Sequence, residues 1–216
     1  MADTIRTIIA ADLPEFVREE LARIQAELRT EKFKFRWVKP ENIHLTLIFL
    51  GDVDPEMLEV ISGAVANTVQ CHDPIRLAIQ GLGVFPGIKR PRIIWAGMMG
   101  EVKNLRELKV SLDRSLLKVN GLKFKPERRS FRAHLTLGRA KGRIDGRKLA
   151  VAMNRLQKVP SAPLIIDAIH VFKSDLQAGG AVYTKVKSCN MTRENVSRRG
   201  AETQRKMIEI VKIPKH

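Results

Sequence analysis

Cysteine is nearly absent: Cys71 and Cys189 are the two in 216 residues, and they stand too far apart to form a metal or redox motif. Isolated thiols suit a reducing cytoplasm, with a single disulfide as the alternative. No apolar run approaches the roughly 20 residues needed to cross a bilayer, so no membrane association is expected. The start, Met1-Ala2-Asp3-Thr4, is acidic and lacks the basic opening of a signal peptide. These absences predict a soluble, cytoplasmic protein. Acidic residues are scarce as well, with 23 Asp and Glu against 39 Lys and Arg, a net charge of +16. Such an excess favours a polyanionic partner, nucleic acid first, because neutralised phosphates release counterions. A merely solvated basic surface is the alternative.

What is present suits one domain, or one domain of two similar lobes, with 44% hydrophobic residues to fill a core. Ile5 to Ala10 reads as a short buried strand. Asp12-Leu13-Pro14 opens a helix with Phe16, Leu21, Ile24 and Leu28 at helical spacing. The turn Lys39-Pro40-Glu41-Asn42 precedes a strand over Ile43 to Leu50. Pro55 opens a second helix carrying Leu58, Ile61 and Val65. Strands are predicted over Ile75 to Ile79 and Ile93 to Met98, then a helix from Val102 to Val119 with Leu105, Leu108, Leu112 and Leu116 on one side. Further strands fall at Phe131 to Leu137, Pro163 to Phe172 and Val182 to Val186, with a short helix over Gly146 to Gln157. Strands alternating with amphipathic helices predict an α+β fold of two lobes meeting at a cleft. Residues 188–216 read as a basic C-terminal tail, ordered when docked on a partner.

One tetrapeptide occurs twice: His44-Leu45-Thr46-Leu47 and His134-Leu135-Thr136-Leu137. Side chains alternate along a strand, so each copy offers an imidazole and a hydroxyl on one face and buries two leucines on the other. Two histidines with no carboxylate or cysteine at ligand spacing make a poor metal site, and no cofactor is called for. Two copies with the same facing make a purely structural role less economical than a catalytic one. Acid–base chemistry on a phosphodiester uses all four residues. One imidazole activates the attacking oxygen, the other protonates the leaving oxygen, and the hydroxyls hold the non-bridging oxygens.

These residues resemble the two His-x-Thr-x motifs of the two-histidine phosphoesterase superfamily, and within it the RNA 2',3'-cyclic phosphodiesterases, also called 2'-5' RNA ligases. The likeness extends from Arg6 to Lys187. Arg6-Thr7-Ile8-Ile9-Ala10 is similar to the family's opening strand, and Trp37 to Gly51 to its first motif. Gly83-Val84-Phe85-Pro86 with Pro91 to Trp95 is similar to its middle segment, Phe131 to Arg139 to its second motif, and Ser174 to Tyr183 to its closing hairpin. Ala133 stands where the family usually has proline, and the tail has no family counterpart.

The resemblance implies two α+β lobes, each an antiparallel sheet with helices outside, spanning residues 1–187 around a central cleft. It implies metal-independent hydrolysis of a 2',3'-cyclic phosphate at an RNA end to a 2'-phosphate. His44 would be the proton donor to the 3'-oxygen, His134 the acceptor from water, and Thr46 and Thr136 the phosphate holders. Arg139 matches a family arginine placed to contact phosphate. Trp37 could stack on a terminal base, and Arg92, with Lys89 and Arg90, could guide an RNA strand or lie in a solvated loop. Joining of tRNA halves by the reverse reaction is one alternative, and a non-catalytic RNA-binding module another. The expected protein is a monomer.

Overall fold

The computed structural model describes residues 4–156, 163–177 and 180–192. In chain order the elements are β1 (Ile5–Ala11), α1 (Glu15–Thr30), β2 (Phe35–Trp37), a 3-10 turn (Pro40–Asn42), β3 (Leu45–Val53) and α2 (Met57–Val69). There follow β4 (Ile75–Phe85), β5 (Ile93–Gly100), α3 (Val102–Leu116), β6 (His134–Ala140), α4 (Gly146–Arg155), β7 (Pro163–Ile166), β8 (Ala168–Gln177) and β9 (Gly180–Asn190). They form two antiparallel sheets, ordered β3-β1-β8-β9 and β2-β6-β5-β4-β7. The α+β expectation holds, with one tetrapeptide in each sheet.

The lobes are not consecutive halves of the chain. The closing hairpin β8–β9 returns to pair with β1, and β2 crosses from the first half to pair with β6. The run from Pro163 to Phe172, which reads as one strand, divides at Asp167 between the sheets: β7 pairs with β4 and β8 with β1. No glycine or proline marks that division. The Asp167 carbonyl accepts from the Met191 N–H at 2.8 Å, which ties the corner to the end of β9. β9 itself reaches Asn190, past the expected boundary at 187, because an edge strand carrying Lys185 and Lys187 reads as tail. The remainder of that tail, residues 193–216, lies outside the described residues.

One apolar core unites both sheets. Leu45 and Leu47 from β3 meet the same cluster as Leu135 and Leu137 from β6. In β1, Ile9 and Ala11 enter this core, whereas Ile8 and Ala10 turn to a smaller cluster under Phe172 and Tyr183. β1 is thus covered on both faces, which accounts for its unbroken apolar run. The leucine seam of α3 is wholly buried as its spacing predicts, each side chain worth about 1.5–3 kcal/mol. In α1 the buried seam is Val17, Leu21, Ile24 and Leu28, and Phe16 is 50% exposed. A helix turns about 100° per residue, so a seam that starts at Val17 carries Phe16 outward.

Buried Gln25 fastens α1 to the second sheet. Its Nε2 donates to the carbonyls of Val38, at 2.7 Å, and Leu137, at 2.8 Å, the latter one residue past Thr136. Replacing Gln25 by leucine is expected to cost about 1–3 kcal/mol, because both amide bonds are lost, leaving the Val38 carbonyl without this donor and the Leu137 carbonyl with the Val38 N–H alone. Urea denaturation measures it, and an unchanged midpoint would contradict this role.

Candidate active site

The turn Pro40–Asn42 is closed by the Asn42 N–H donating to the Lys39 carbonyl at 2.9 Å. Proline at its first position pre-sets the backbone. It aims the Asn42 carbonyl at His44, whose Nδ1 lies 2.9 Å from that oxygen. His134 repeats the arrangement, with Nδ1 2.8 Å from the carbonyl of Arg132, also two residues upstream. A carbonyl can only accept, so each Nδ1 carries a proton and each Nε2 is left as the free ring nitrogen. Strands β3 and β6 come within 8 Å between Cα atoms. Both histidines and both threonines line one cleft of about 570 Å³ between the sheets.

The two motifs also share a backbone irregularity. Ala10 pairs with Thr46 and Ile9 with Ile48, so Leu47 is an extra residue in β3. Trp95 pairs with Thr136 and Ile94 with Gly138, so Leu137 is the extra residue in β6. A bulge shifts the face of every later side chain by one position. In β6 it returns Arg139 to the side of His134 and Thr136, and Arg139 lines the cleft.

Arg36 sits opposite Arg139 in the β2–β6 pair, and it too lines the cleft. Like charges facing across strands destabilise a sheet unless an anion lies between them. Lys39 and Arg6 add positive charge, and among the described residues no Asp or Glu lines the cleft. Arg36 carries no local signal in the sequence, because β2 is three residues long and its run is basic rather than alternating. Trp37 lines the cleft, 5.3 Å between ring centroids from Phe35. Arg92 does not: it is exposed at the edge of β5, held by backbone bonds to Phe85 and Ala140. Phe85 and Trp95 stack at 5.0 Å and flank His134, with Phe85 edge-on at 5.1 Å. Gly83 makes this possible, since a Cβ there would stand 2.1 Å from the Trp95 ring. His170 is buried beside the Ser188 hydroxyl, a structural place.

The imidazoles differ in surroundings. Tyr183 meets His44 edge-on at 4.4 Å, and Phe172 lies at 6.3 Å. Burial pushes His44 down to about 4, against the upward pull of the Asn42 carbonyl and the Asp12 carboxylate, with Arg139 adding to the depression. Asp12 lies behind His44 in a smaller pocket that also holds Arg18 and Lys185. Burial raises the Asp12 carboxyl, but the Leu13 N–H, Arg18 and Lys185 outweigh it and keep the group ionised at neutral pH.

The His44 shift has a stability consequence. Above pH 6.5 neither the folded nor the unfolded chain protonates this residue. Between 6.5 and about 4 only the unfolded chain does, so stability falls as pH falls through that window, by up to about 3 kcal/mol. Denaturation midpoints at pH 7.5 and 4.5 should therefore differ more for the native chain than for His44→Gln. Equal differences would contradict the burial argument.

Known proteins share this architecture. The sequence model of the family described as LigT like Phosphoesterase matches residues 12–95 and 101–183, one tetrapeptide in each stretch. The RNA 2',3'-cyclic phosphodiesterase of Methanothermobacter thermautotrophicus is 34% identical over 180 residues, 83% of this chain and 95% of that protein. Its namesake from Methanocaldococcus jannaschii is 32% identical over 85% of this chain and 99% of that protein. Among solved structures, the protein TT0787 of Thermus thermophilus superposes with a TM-score of 0.67 at 26% identity, covering 86% of this chain and 97% of that one. Escherichia coli LigT complexed with 3'-AMP shares the fold at a TM-score of 0.63 and 23% identity, over 88% of this chain and 100% of that one.

Proposed function

The chain belongs to the LigT-like phosphoesterase family, and on that footing we propose that it hydrolyses 2',3'-cyclic phosphate ends of RNA to 2'-phosphates. One observation carries the reading. Two imidazoles, each tied through Nδ1 to a backbone carbonyl, present their free nitrogens to a cleft that, among the described residues, is lined by four Lys or Arg side chains and no carboxylate. Such a cleft selects a phosphate, and the imidazole pair supplies proton transfer on both sides of phosphorus.

In the reaction, His134 Nε2 takes a proton from water as the water oxygen bonds to phosphorus. The bond from phosphorus to the 3'-oxygen breaks in line, and His44 Nε2 gives that oxygen its proton. Thr46 and Thr136 donate to the non-bridging oxygens, where charge grows. Arg36 and Arg139 neutralise the phosphate from the second sheet. Because His44 is neutral in the empty cleft, it must gain its proton with the substrate. The phosphate's negative charge and the Asp12 carboxylate behind the ring both favour that uptake. An imidazolium of low proton affinity then gives its proton readily to the departing alkoxide.

In this reading Trp37, on the cleft wall, stacks on the terminal base. RNA fragments with cyclic ends, tRNA halves among them, are the proposed substrates of a monomeric, cytoplasmic enzyme. Cys71 and Cys189 are both free, which suits that compartment. Ligation would run the same proton transfers backwards, and the abundance of water favours hydrolysis. Phosphorus NMR of the chain with a cyclic-phosphate RNA tests the proposal. The cyclic resonance should give way to a monoester while internal linkages persist. Tight binding without conversion would leave a non-catalytic RNA-binding module.

A further inference from the structure

The bulges after Thr46 and Thr136 put Phe49 and Arg139 at corresponding places, each three residues past its threonine and each lining the cleft. The second sheet thus has a guanidinium where the first has a phenyl ring. That ring is 46% exposed, and the Arg6 guanidinium lies over it, its carbon 4.6 Å from the centroid. Arg6 comes from the neighbouring strand β1 and lines the same cleft. The first sheet therefore supplies from β1 the cation that the second sheet carries on β6 itself.

Stacking on an aromatic face fixes a guanidinium while its edge N–H donors stay free for an oxyanion. Asp52 is the residue opposite Arg6 in β3, yet among the described residues no carboxylate comes within 4.0 Å of the Arg6 side chain. Arg6 is held in place, and among the described residues its donors are uncommitted. A terminal cyclic phosphate is a monoanion, already met by two hydroxyls, two imidazoles and the Arg36–Arg139 pair. A further guanidinium on the opposite sheet is surplus for that one charge, and an RNA end carries another on the next linkage.

We infer that Arg6, propped on Phe49, binds the internucleotide phosphate next to the cyclic end, so that the cleft prefers an RNA terminus to a single cyclic nucleotide. This rests on the hydrolase reading above. The test compares kcat and KM for a 2',3'-cyclic mononucleotide and for a dinucleotide ending in a 2',3'-cyclic phosphate, using the native chain, Arg6→Gln and Arg6→Lys.

The native chain should prefer the dinucleotide, and Arg6→Gln should reduce that preference about tenfold, as loss of one charge-assisted contact does, with KM carrying the loss. Arg6→Lys, which keeps the charge without the flat stacking face, should fall between. An equal loss on both substrates, or an unchanged preference, would overturn the inference. Affinities for the 2'-phosphate-ended mononucleotide and dinucleotide read the same preference without catalysis. A chain that turns over neither substrate would sink the hydrolase reading, and these affinities would still decide for or against Arg6.

Discussion

His134→Ala should lower kcat by about 10²–10⁴, the range that one positioned acid or base contributes. His134 belongs to the half-buried lining of the cleft and not to the core, so the variant should unfold at the native denaturant midpoint. His44→Ala should lose activity to a similar degree. The assigned roles separate when the 3'-oxygen of the cyclic substrate is replaced by sulfur. A thiolate departs without a proton, since its conjugate acid is far stronger than an alcohol. Sulfur should therefore restore much of the rate to His44→Ala and none to His134→Ala. Rescue of His134→Ala alone would exchange the donor and the acceptor.

Replacing Thr46 or Thr136 by valine should cost about 2–4 kcal/mol of transition-state stabilisation, roughly 10²–10³ in kcat, with little change in KM. Valine keeps the branched shape, and its strand preference resembles that of threonine, so the loss reports the hydroxyl. Serine at the same position should recover most of the rate. The two threonines stand at matching points just before matching bulges, which makes their effects comparable. A loss under threefold at either position would remove that hydroxyl from the phosphate.

The repeated tetrapeptide disclosed in advance that its histidines and threonines share a face, because strand alternation is local and holds whatever the strand pairs with; the structure brings all four to one cleft. The α3 seam was legible for the same reason. The bulges at Leu47 and Leu137 were not, since a bulge exists only relative to a partner strand, and it is the bulge that brings Arg139 to the cleft. Arg36 escaped notice because its importance comes from lying opposite Arg139, a pairing between residues far apart in sequence. Arg92 shows the converse: nearness in sequence to a site segment does not aim a side chain into the cleft. The division at Asp167 carries no local signal, because β7 and β8 are both apolar and differ only in the sheet that receives them.

In-line displacement of the 3'-oxygen by water between two imidazoles is the step on which the proposed hydrolysis turns. Its most direct test is the position of the phosphate left on an RNA that begins with a 2',3'-cyclic end, digested with EDTA present. A 2'-phosphate and a free 3'-hydroxyl should form, at the same rate with or without the chelator. A 3'-phosphate, or a reaction that stops until metal is restored, would contradict it.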